Sequence, residues 1–460
     1  DNTFDVIVVG TSFSGSFFLH SYLPKARENA RILVLERGQL NSGQWASNKT
    51  FINRTPEKPW AYVIRFGGSS KAWWACTPRM MPNDFKLKST YGVGVDWPVT
   101  YEGLEPYYTQ AEEVMAVSGP DDGSPCPRSQ PYPQPPHRFS DPDRLMKAAY
   151  PDLYFPQASA RTRVPTANRP QCCGSAVCSA CPIDAKFTIM NEMAHLYKDP
   201  RVTLLLEAEA LAVETAAGQA VGVRYLKEGV EQTAKADLVV LGANAIFNPY
   251  LLQRSNLVHP LLGKRLSEQV SMGVKIYLDG VDNFQGSTSI NANGYMLYDG
   301  AHRSQYAGCL IEVQNIPFLR VDRGRWRQVC YMKFIFEDLP DEKNYVAVST
   351  TPPHLPETVY KGHSSYAQRG MDTLPDVLPK LLAPLPVEKL DISGPGSSEA
   401  HILGTTVMGN DPATAIVDKY LIHHQIRNLM VLGGSVFPTS APANPTLTIA
   451  ALTLWAVDHL

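Results

Sequence analysis

Residues 4–38 carry the pattern that most limits what this chain can fold into. The apolar run Phe4–Val9, FDVIVV, ends in the turn Gly10-Thr11-Ser12-Phe13-Ser14-Gly15. An amphipathic stretch follows to about Lys25, and a second apolar run lies within Arg31–Gly38, RILVLERG. Strand, glycine turn, helix, strand is a βαβ unit, which commits the chain to a parallel sheet flanked by helices. The turn departs from Gly-x-Gly-x-x-Gly at Ser12, whose small side chain still allows the backbone to approach a pyrophosphate. A helix beginning near Ser14 aims free N–H groups at that anion. Glu36 closes the second strand, where a carboxylate accepts two bonds from ribose hydroxyls and disfavours a 2′-phosphate. Arg37 beside it is counted with the nucleotide-binding residues. Taken alone, the same features also describe a tight turn beside an unrelated surface glutamate, and they do not separate FAD from NAD.

The chain has 460 residues, more than one simple core, so two intertwined domains are expected. Its formal charge of −2 argues against nucleic acid as a partner, because phosphate binding needs a basic face. No apolar run approaches the ~20 residues of a membrane helix, so no transmembrane segment is expected. The sequence passes from Asp1 straight into a strand pattern and shows no signal peptide, leaving open a removed leader or export alongside a signal-bearing partner. Residues 118–143 and 170–186 read as loop, 202–242 and 290–350 as strands, and the proline-rich 351–390 as irregular. The last sixty residues return to strand and helix.

Of eight cysteines, Cys76, Cys126, Cys309 and Cys330 are scattered, while Cys172, Cys173, Cys178 and Cys181 fall within ten residues. Such a cluster in a large chain reads as a metal or redox site rather than a disulfide framework. Counted from Cys173 it contains C-x4-C-x2-C, and it ends in C-x2-C-P; both spacings occur in iron–sulfur ligation. Structural zinc, whose cysteine pairs usually lie further apart in sequence, and a disulfide are the competing readings.

Two further segments narrow the cofactor. The first runs Arg65-Phe66-Gly67-Gly68-Ser69-Ser70-Lys71-Ala72-Trp73-Trp74 and on to Pro78-Arg79. The second runs from His401 through Gly404-Thr-Thr-Val-Met-Gly409 to Val417-Asp418, then Asn428-Leu-Met-Val, Ser435-Val-Phe-Pro438 and Asn444-Pro445-Thr446. With the N-terminal turn these resemble the glucose–methanol–choline (GMC) oxidoreductases, FAD enzymes that oxidise alcohols. Residues 80–113 look like the catalytic subunits of bacterial FAD-dependent glucose, gluconate, sorbitol and fructose dehydrogenases. ANAIFNPYLLQRS, 243–255, and LGKRLSEQ, 262–269, fit the same family.

The resemblance implies an α/β fold: a Rossmann-like FAD-binding domain with an inserted α+β substrate domain on a mostly antiparallel sheet. The FAD domain is expected from 1–80, 200–290 and 396–460, the substrate domain from 81–165 and 291–395, and a cluster-binding insertion from 166–190. Gly10, Thr11, Ser12, Phe13, Ser14, Gly15, Glu36 and Arg37 would hold the adenosine diphosphate part. Gly67, Gly68, Ser69, Ser70 and Trp73 would lie by the flavin, with Ala243, Asn444, Pro445 and Thr446 also on the cofactor. Of Trp73 and Trp74, one is expected to be core. Ala72 stands where some relatives bond flavin to histidine, which implies non-covalent FAD. His401 matches the family's catalytic base, a role suited to a side chain titrating near neutrality, and Asn444 the partner that holds the substrate oxygen. Without the motif, His401 reads as a structural histidine and Asn444 as a turn-former before Pro445.

By the same resemblance Cys172, Cys178 and Cys181 are the preferred ligands of a three-iron cluster, and Cys173 is either a spare or the fourth ligand of a four-iron one. The last gap is one residue shorter here. The implied function is an FAD-dependent dehydrogenase that oxidises an alcohol, sugar or glycoside and relays electrons through the cluster. A small companion subunit, a cytochrome acceptor and a periplasmic or membrane-associated location follow from resemblance, with the cytoplasm as alternative. An oxidase with a structural cluster and a non-catalytic FAD-binding subunit are the other readings. Glu337 is assigned no role, and Tyr331, Phe334 and Phe336 are expected to pack in a strand.

Overall fold

The computed structural model describes residues 2–47 and 49–460. A seven-stranded sheet carries the expected βαβ unit. Strand Thr3–Val9 pairs in parallel with Ile32–Leu35 on one side and Val230–Leu241 on the other. Val202–Leu205 extends one edge in parallel, and Leu429–Val431 pairs in parallel with the end of Val230–Leu241. A meander of Ala208–Ala216, Gln219–Lys227 and Val230–Leu241 adds the antiparallel part. Val6, Ile7, Val8, Ile32, Leu33, Val34, Val239, Val240 and Leu241 are all buried, the continuous apolar run of strands covered on both faces.

Helix Phe13–Tyr22 differs from the amphipathic expectation. Its residues 13–19 are all buried, because it is covered on its outer side by the C-terminal helix Thr446–Asp458. Thr446–Asp458 is itself apolar nearly all round and packs also on helix Tyr101–Met115. A helix with no polar face belongs between other layers.

A second sheet of six antiparallel strands runs in the order Val387–Pro395, Val270–Leu278, Val329–Phe336, Cys309–Gln314, Ile290–Gly294, Tyr154–Pro156. Ile311, Val313, Met332, Phe334 and Phe336 face helices Ser365–Asp372 and Leu374–Leu381. The opposite face places Phe155 and Leu310 against the first domain's core and carries the cross-strand row Asn293, Glu312, Lys333. The two helices correct the reading of 351–390 as irregular. Pro375 sits in a first turn, where a missing N–H costs nothing, and Pro379 sits near the end of its helix.

Glu337 is structural. With Asp84 it holds the buried Arg303, and Glu337 also accepts from Tyr366 Oη at 2.9 Å and Gly308 N at 3.0 Å. Among the described residues no helix is long and apolar enough to cross a membrane.

Candidate active site

The nucleotide turn is built on close backbone contacts. Gly10 has φ +97°, and a Cβ there would stand 2.4 Å from the Gly242 carbonyl oxygen. A Cβ on Gly15 would stand 2.0 Å from the Gly10 oxygen, so neither position takes another residue. Ser12 sits at the N-cap of helix Phe13–Tyr22 without a side-chain cap bond, which leaves its hydroxyl uncommitted to the helix. Gly68 lies against it; a Cβ on Gly68 would come within 2.8 Å of Ser12 Oγ.

Thr11 ties three separated segments together. Its Oγ1 accepts from Gly67 N at 2.9 Å and donates to Glu36, which also receives Thr11 N at 3.2 Å and Gly38 N at 2.7 Å. Burial raises the Glu36 carboxyl above the usual range, against these donors. Arg37 pairs with Glu209 at 3.2 Å, lies over the Phe247 ring and keeps a buried, unpartnered Nη1. Ser69 Oγ accepts from Val63 N, and Ser70 Oγ donates to Gly67 O, so both hydroxyls shape the turn. Ala243 N donates to Asn248 Oδ1 at 2.8 Å, and Asn248 Nδ2 reaches Leu432 O and Ser435 Oγ, both at 2.9 Å. Gly242 and Asn248 thus hold the backbone around this turn without having been singled out in the sequence. Trp73 is committed to packing: its Nε1 donates to Phe187 O at 2.8 Å and its ring meets Phe13 edge-on at 4.7 Å.

Gln269, next to Glu268 in the 262–269 tract, links His401 to the backbone that leads into Asn444. Gln269 is buried, and its Nε2 donates to Ala441 O at 2.9 Å and Ala443 O at 3.0 Å. Two carbonyl partners fix which end of the amide is nitrogen, so Oε1 faces His401 Nδ1, 3.1 Å away. Only a protonated Nδ1 can donate to that oxygen. The Nε2 of a neutral His401 is therefore left as the basic nitrogen. Burial lowers His401 to about 4, with Glu399 raising it and Lys333 and Lys58 lowering it, so the imidazole is neutral at pH 7. Glu268 accepts from the backbone N of Glu399 at 2.7 Å and of His401 at 3.0 Å, and Lys58 neutralises it. Asn444 is 8% exposed and its Oδ1 has no protein partner. Pro445 precedes helix Thr446–Asp458, whose first N–H groups are free for an acceptor.

Cys172, Cys173, Cys178 and Cys181 line one small cavity with Arg161, Lys186 and Ser289. Cys178 Sγ lies 2.7 Å from Ser289 Oγ, and Cys181 Sγ accepts from Ala185 N at 3.4 Å. All eight thiols are free, so no disulfide occupies the segment. Among the described residues no three His, Cys, Asp or Glu side chains are placed to hold a metal ion. The four thiols line the same small cavity.

Residues 367–453 match the GMC oxidoreductase family. The fructose dehydrogenase large subunit of Gluconobacter japonicus is 28% identical over 545 residues, covering 99% of this chain and 97% of that protein. The gluconate 2-dehydrogenase flavoprotein of Pantoea cypripedii is 24% identical, covering 86% of this chain and 78% of its own. Among solved structures, pyridoxine 4-oxidase from Mesorbium loti superposes with a TM-score of 0.69 at 16% identity over 99% of both chains, a likeness of fold. The βαβ turn, the Thr11–Glu36 link, the histidine before its Gly-Thr tract and these matches agree: residues 367–453 are a GMC oxidoreductase segment, and the chain is an FAD-dependent oxidoreductase that acts on alcohol groups.

Proposed function

We propose that this chain is a dehydrogenase that oxidises an alcohol carbon of a sugar, glycoside or related polyol to a carbonyl and sends the electrons through an iron–sulfur cluster to an external acceptor. The observation that carries the reading is the Gln269 bridge, which orients His401 and anchors the backbone leading to Asn444. Non-covalent FAD supplies the hydride acceptor. Gly10, Thr11, Ser12, Phe13, Ser14, Gly15, Glu36 and Arg37 cradle its adenosine diphosphate end. Gly67, Gly68, Ser69, Ser70, Ala243, Pro445 and Thr446 line the flavin end, and Ala72 offers no nucleophile for a covalent bond. His401 Nε2 takes the substrate hydroxyl proton, while the Asn444 amide donates from Nδ2 to the same oxygen and holds it in line. With the substrate alkoxide so formed, hydride departure from its carbon is favoured.

Cys172, Cys178 and Cys181, with Cys173 as the candidate fourth, would hold the cluster, which supplies one-electron transfer. Lys186 supports that placement. Its Nζ donates to Lys71 O at 2.7 Å, Trp73 O at 2.6 Å and Cys178 O, so one side chain spans the flavin tract and the cysteine segment. A relative named as a large subunit supports a companion subunit here, and a cytochrome is the kind of acceptor that fits one-electron relay.

The test is anaerobic addition of a panel of sugars, polyols and simple alcohols to the purified protein, followed in the visible spectrum. A sugar or polyol should bleach the flavin, and His401→Ala should slow bleaching by about 100-fold or more. Full-rate bleaching by His401→Ala would overturn the assignment of the base. Rapid reoxidation of the reduced flavin by air would make the enzyme an oxidase, and absence of iron and sulfide would remove the relay.

A further inference from the structure

The buried acids of this protein are met by strong partners, with one exception. Asp84 and Glu337 hold Arg303, Glu112 holds Arg79, Glu268 holds Lys58, and Asp338 meets His363 at 2.7 Å. Glu36 accepts from Gly38 N at 2.7 Å, and Asp143 from Ser140 Oγ at 2.7 Å. Glu312, 5% exposed, forms no ion pair among the described residues. Its one hydrogen bond is a long approach of Gln314 Nε2 at 3.5 Å. Its cross-strand neighbour Asn293 is fully buried, and Asn293 Nδ2 donates to Ile311 O at 3.1 Å, which fixes the orientation of the amide. Asn293 Oδ1 is then left without a partner. Two buried acceptors side by side lack a donor, an arrangement that costs stability unless a ligand supplies one.

Both side chains lie on the sheet face turned to the first domain, in the row that continues to Lys333. Lys333 Nζ reaches Glu399 Oε2 at 2.5 Å, and Glu399 shares with His401 the backbone anchor on Glu268. Lys333 and Glu399 act electrostatically on His401 and on Glu312 alike, so the unpaired acceptors belong to the surroundings of the base. A further ammonium is disfavoured there, because the fields of Lys333 and Arg161 already reach Glu312. Neutral O–H donors meet the two acceptors without adding charge, and a carboxyl oxygen of Glu312 accepts whether or not the group carries a proton. A monohydric alcohol has a single O–H, which oxidation at His401 consumes. A substrate that fills these acceptors therefore carries hydroxyls besides the reacting one.

We infer that Glu312 is a specificity-determining residue of the active site: it accepts a hydrogen bond from a second hydroxyl of the substrate, with Asn293 Oδ1 as a further acceptor, and so selects polyhydroxylated substrates over monohydric alcohols. The inference rests on the reading of the chain as an alcohol-oxidising dehydrogenase with His401 as base, and is independent of any electron relay. The bond to Glu312 is made away from the reacting carbon and is the same before and during hydride departure. Its loss therefore weakens substrate binding and leaves the limiting rate of flavin reduction nearly unchanged.

The experiment compares wild type, Glu312→Leu and Glu312→Gln as holoenzymes, with FAD content and melting temperature measured first. Anaerobic stopped-flow bleaching of the flavin is followed against the concentrations of D-glucose, D-sorbitol, D-glucosamine and 1-hexanol. In wild type a neutral polyol should bleach the flavin at concentrations where 1-hexanol does not. Glu312→Leu should raise the half-saturating polyol concentration about 10-fold or more while the limiting rate falls by less than about threefold. Glu312→Gln keeps an acceptor oxygen and loses the charge, and should fall between the two. Variants that hold FAD and saturate at the wild-type polyol concentration overturn the inference, as does a slower limiting rate at unchanged half-saturation. Wild type bleached as readily by 1-hexanol as by the polyols overturns it while leaving alcohol oxidation in place. A preference for D-glucosamine over D-glucose that disappears in Glu312→Gln overturns the hydroxyl in favour of an ammonium group. Wild-type flavin bleached by none of the four overturns both the inference and the dehydrogenase reading. If Glu312→Leu fails to fold, Glu312→Gln decides by a rise of about threefold or more in half-saturation.

Discussion

Replacing Gln269 separates what a bridging amide does for catalysis from what it does for stability. Gln269→Leu keeps the volume and removes three hydrogen bonds: the one to His401 Nδ1 and the two to the carbonyls of Ala441 and Ala443. Two buried carbonyls left without donors cost about 1–3 kcal/mol each, so the variant should lose about 2–6 kcal/mol of stability. The catalytic loss has a different origin. A positioned base contributes about 10²–10⁴-fold, and a ring free to take either tautomer keeps only part of that, so flavin reduction should slow by about 10–100-fold. Gln269→Glu changes the pH response instead. In wild type His401 titrates at about 4 because burial disfavours its charge, and the deprotonated ring is the active form. Reduction should then be pH-independent near neutrality and fall as pH drops through that value. A carboxylate beside Nδ1 favours the imidazolium, so the falling limb should move upward by about 1–3 pH units. Anaerobic stopped-flow measurement of flavin bleaching against pH reads both effects. Wild-type rates and an unmoved limb in both variants would refute the argument.

Two other outcomes follow from contacts away from the reacting carbon. Gly10→Ala would place a Cβ 2.4 Å from the Gly242 oxygen at φ +97°, and the protein should purify without FAD and melt at lower temperature; absorption at flavin wavelengths and a thermal melt check this. Arg303→Met leaves Asp84 and Glu337 buried without their cation, which should cost about 3–5 kcal/mol in urea unfolding, and an undiminished midpoint would contradict the electrostatic reading.

The legible parts of the sequence were those where a local pattern has one structural solution. FDVIVV followed by a glycine turn, a helical stretch and RILVLERG can only make parallel neighbours, and they do. The Cys172–Cys181 segment reads as loop, and its four thiols line one cavity. What escaped was set by partners far away in the chain. The burial of helix Phe13–Tyr22 on both sides depends on Thr446–Asp458, over four hundred residues later. The prolines of 351–390 suggested irregularity because a single-sequence reading penalises proline wherever it falls, yet Pro375 occupies the one turn that tolerates it. Gln269, Arg161 and Lys186 had no signal of their own. A buried glutamine or cation is recognised by what it bonds to, and most of those bonds join residues more than a hundred apart, as Gln269 to Ala441 does.

The order of strands in the first sheet also sets when the cofactor can enter. Thr3–Val9 needs Val230–Leu241 as its parallel neighbour, and that strand in turn needs Leu429–Val431. A growing chain on the ribosome thus holds its nucleotide turn with no partner on one side until residues 230–241 have emerged. The contact order is high by construction, and folding of this sheet is expected to be slow and to wait for the last segment. A nucleotide turn completed only after residues 429–431 pair is expected to take up its cofactor late in folding, in competition with aggregation of the unpaired strand. Lower temperature and added riboflavin should shift that competition toward holoenzyme.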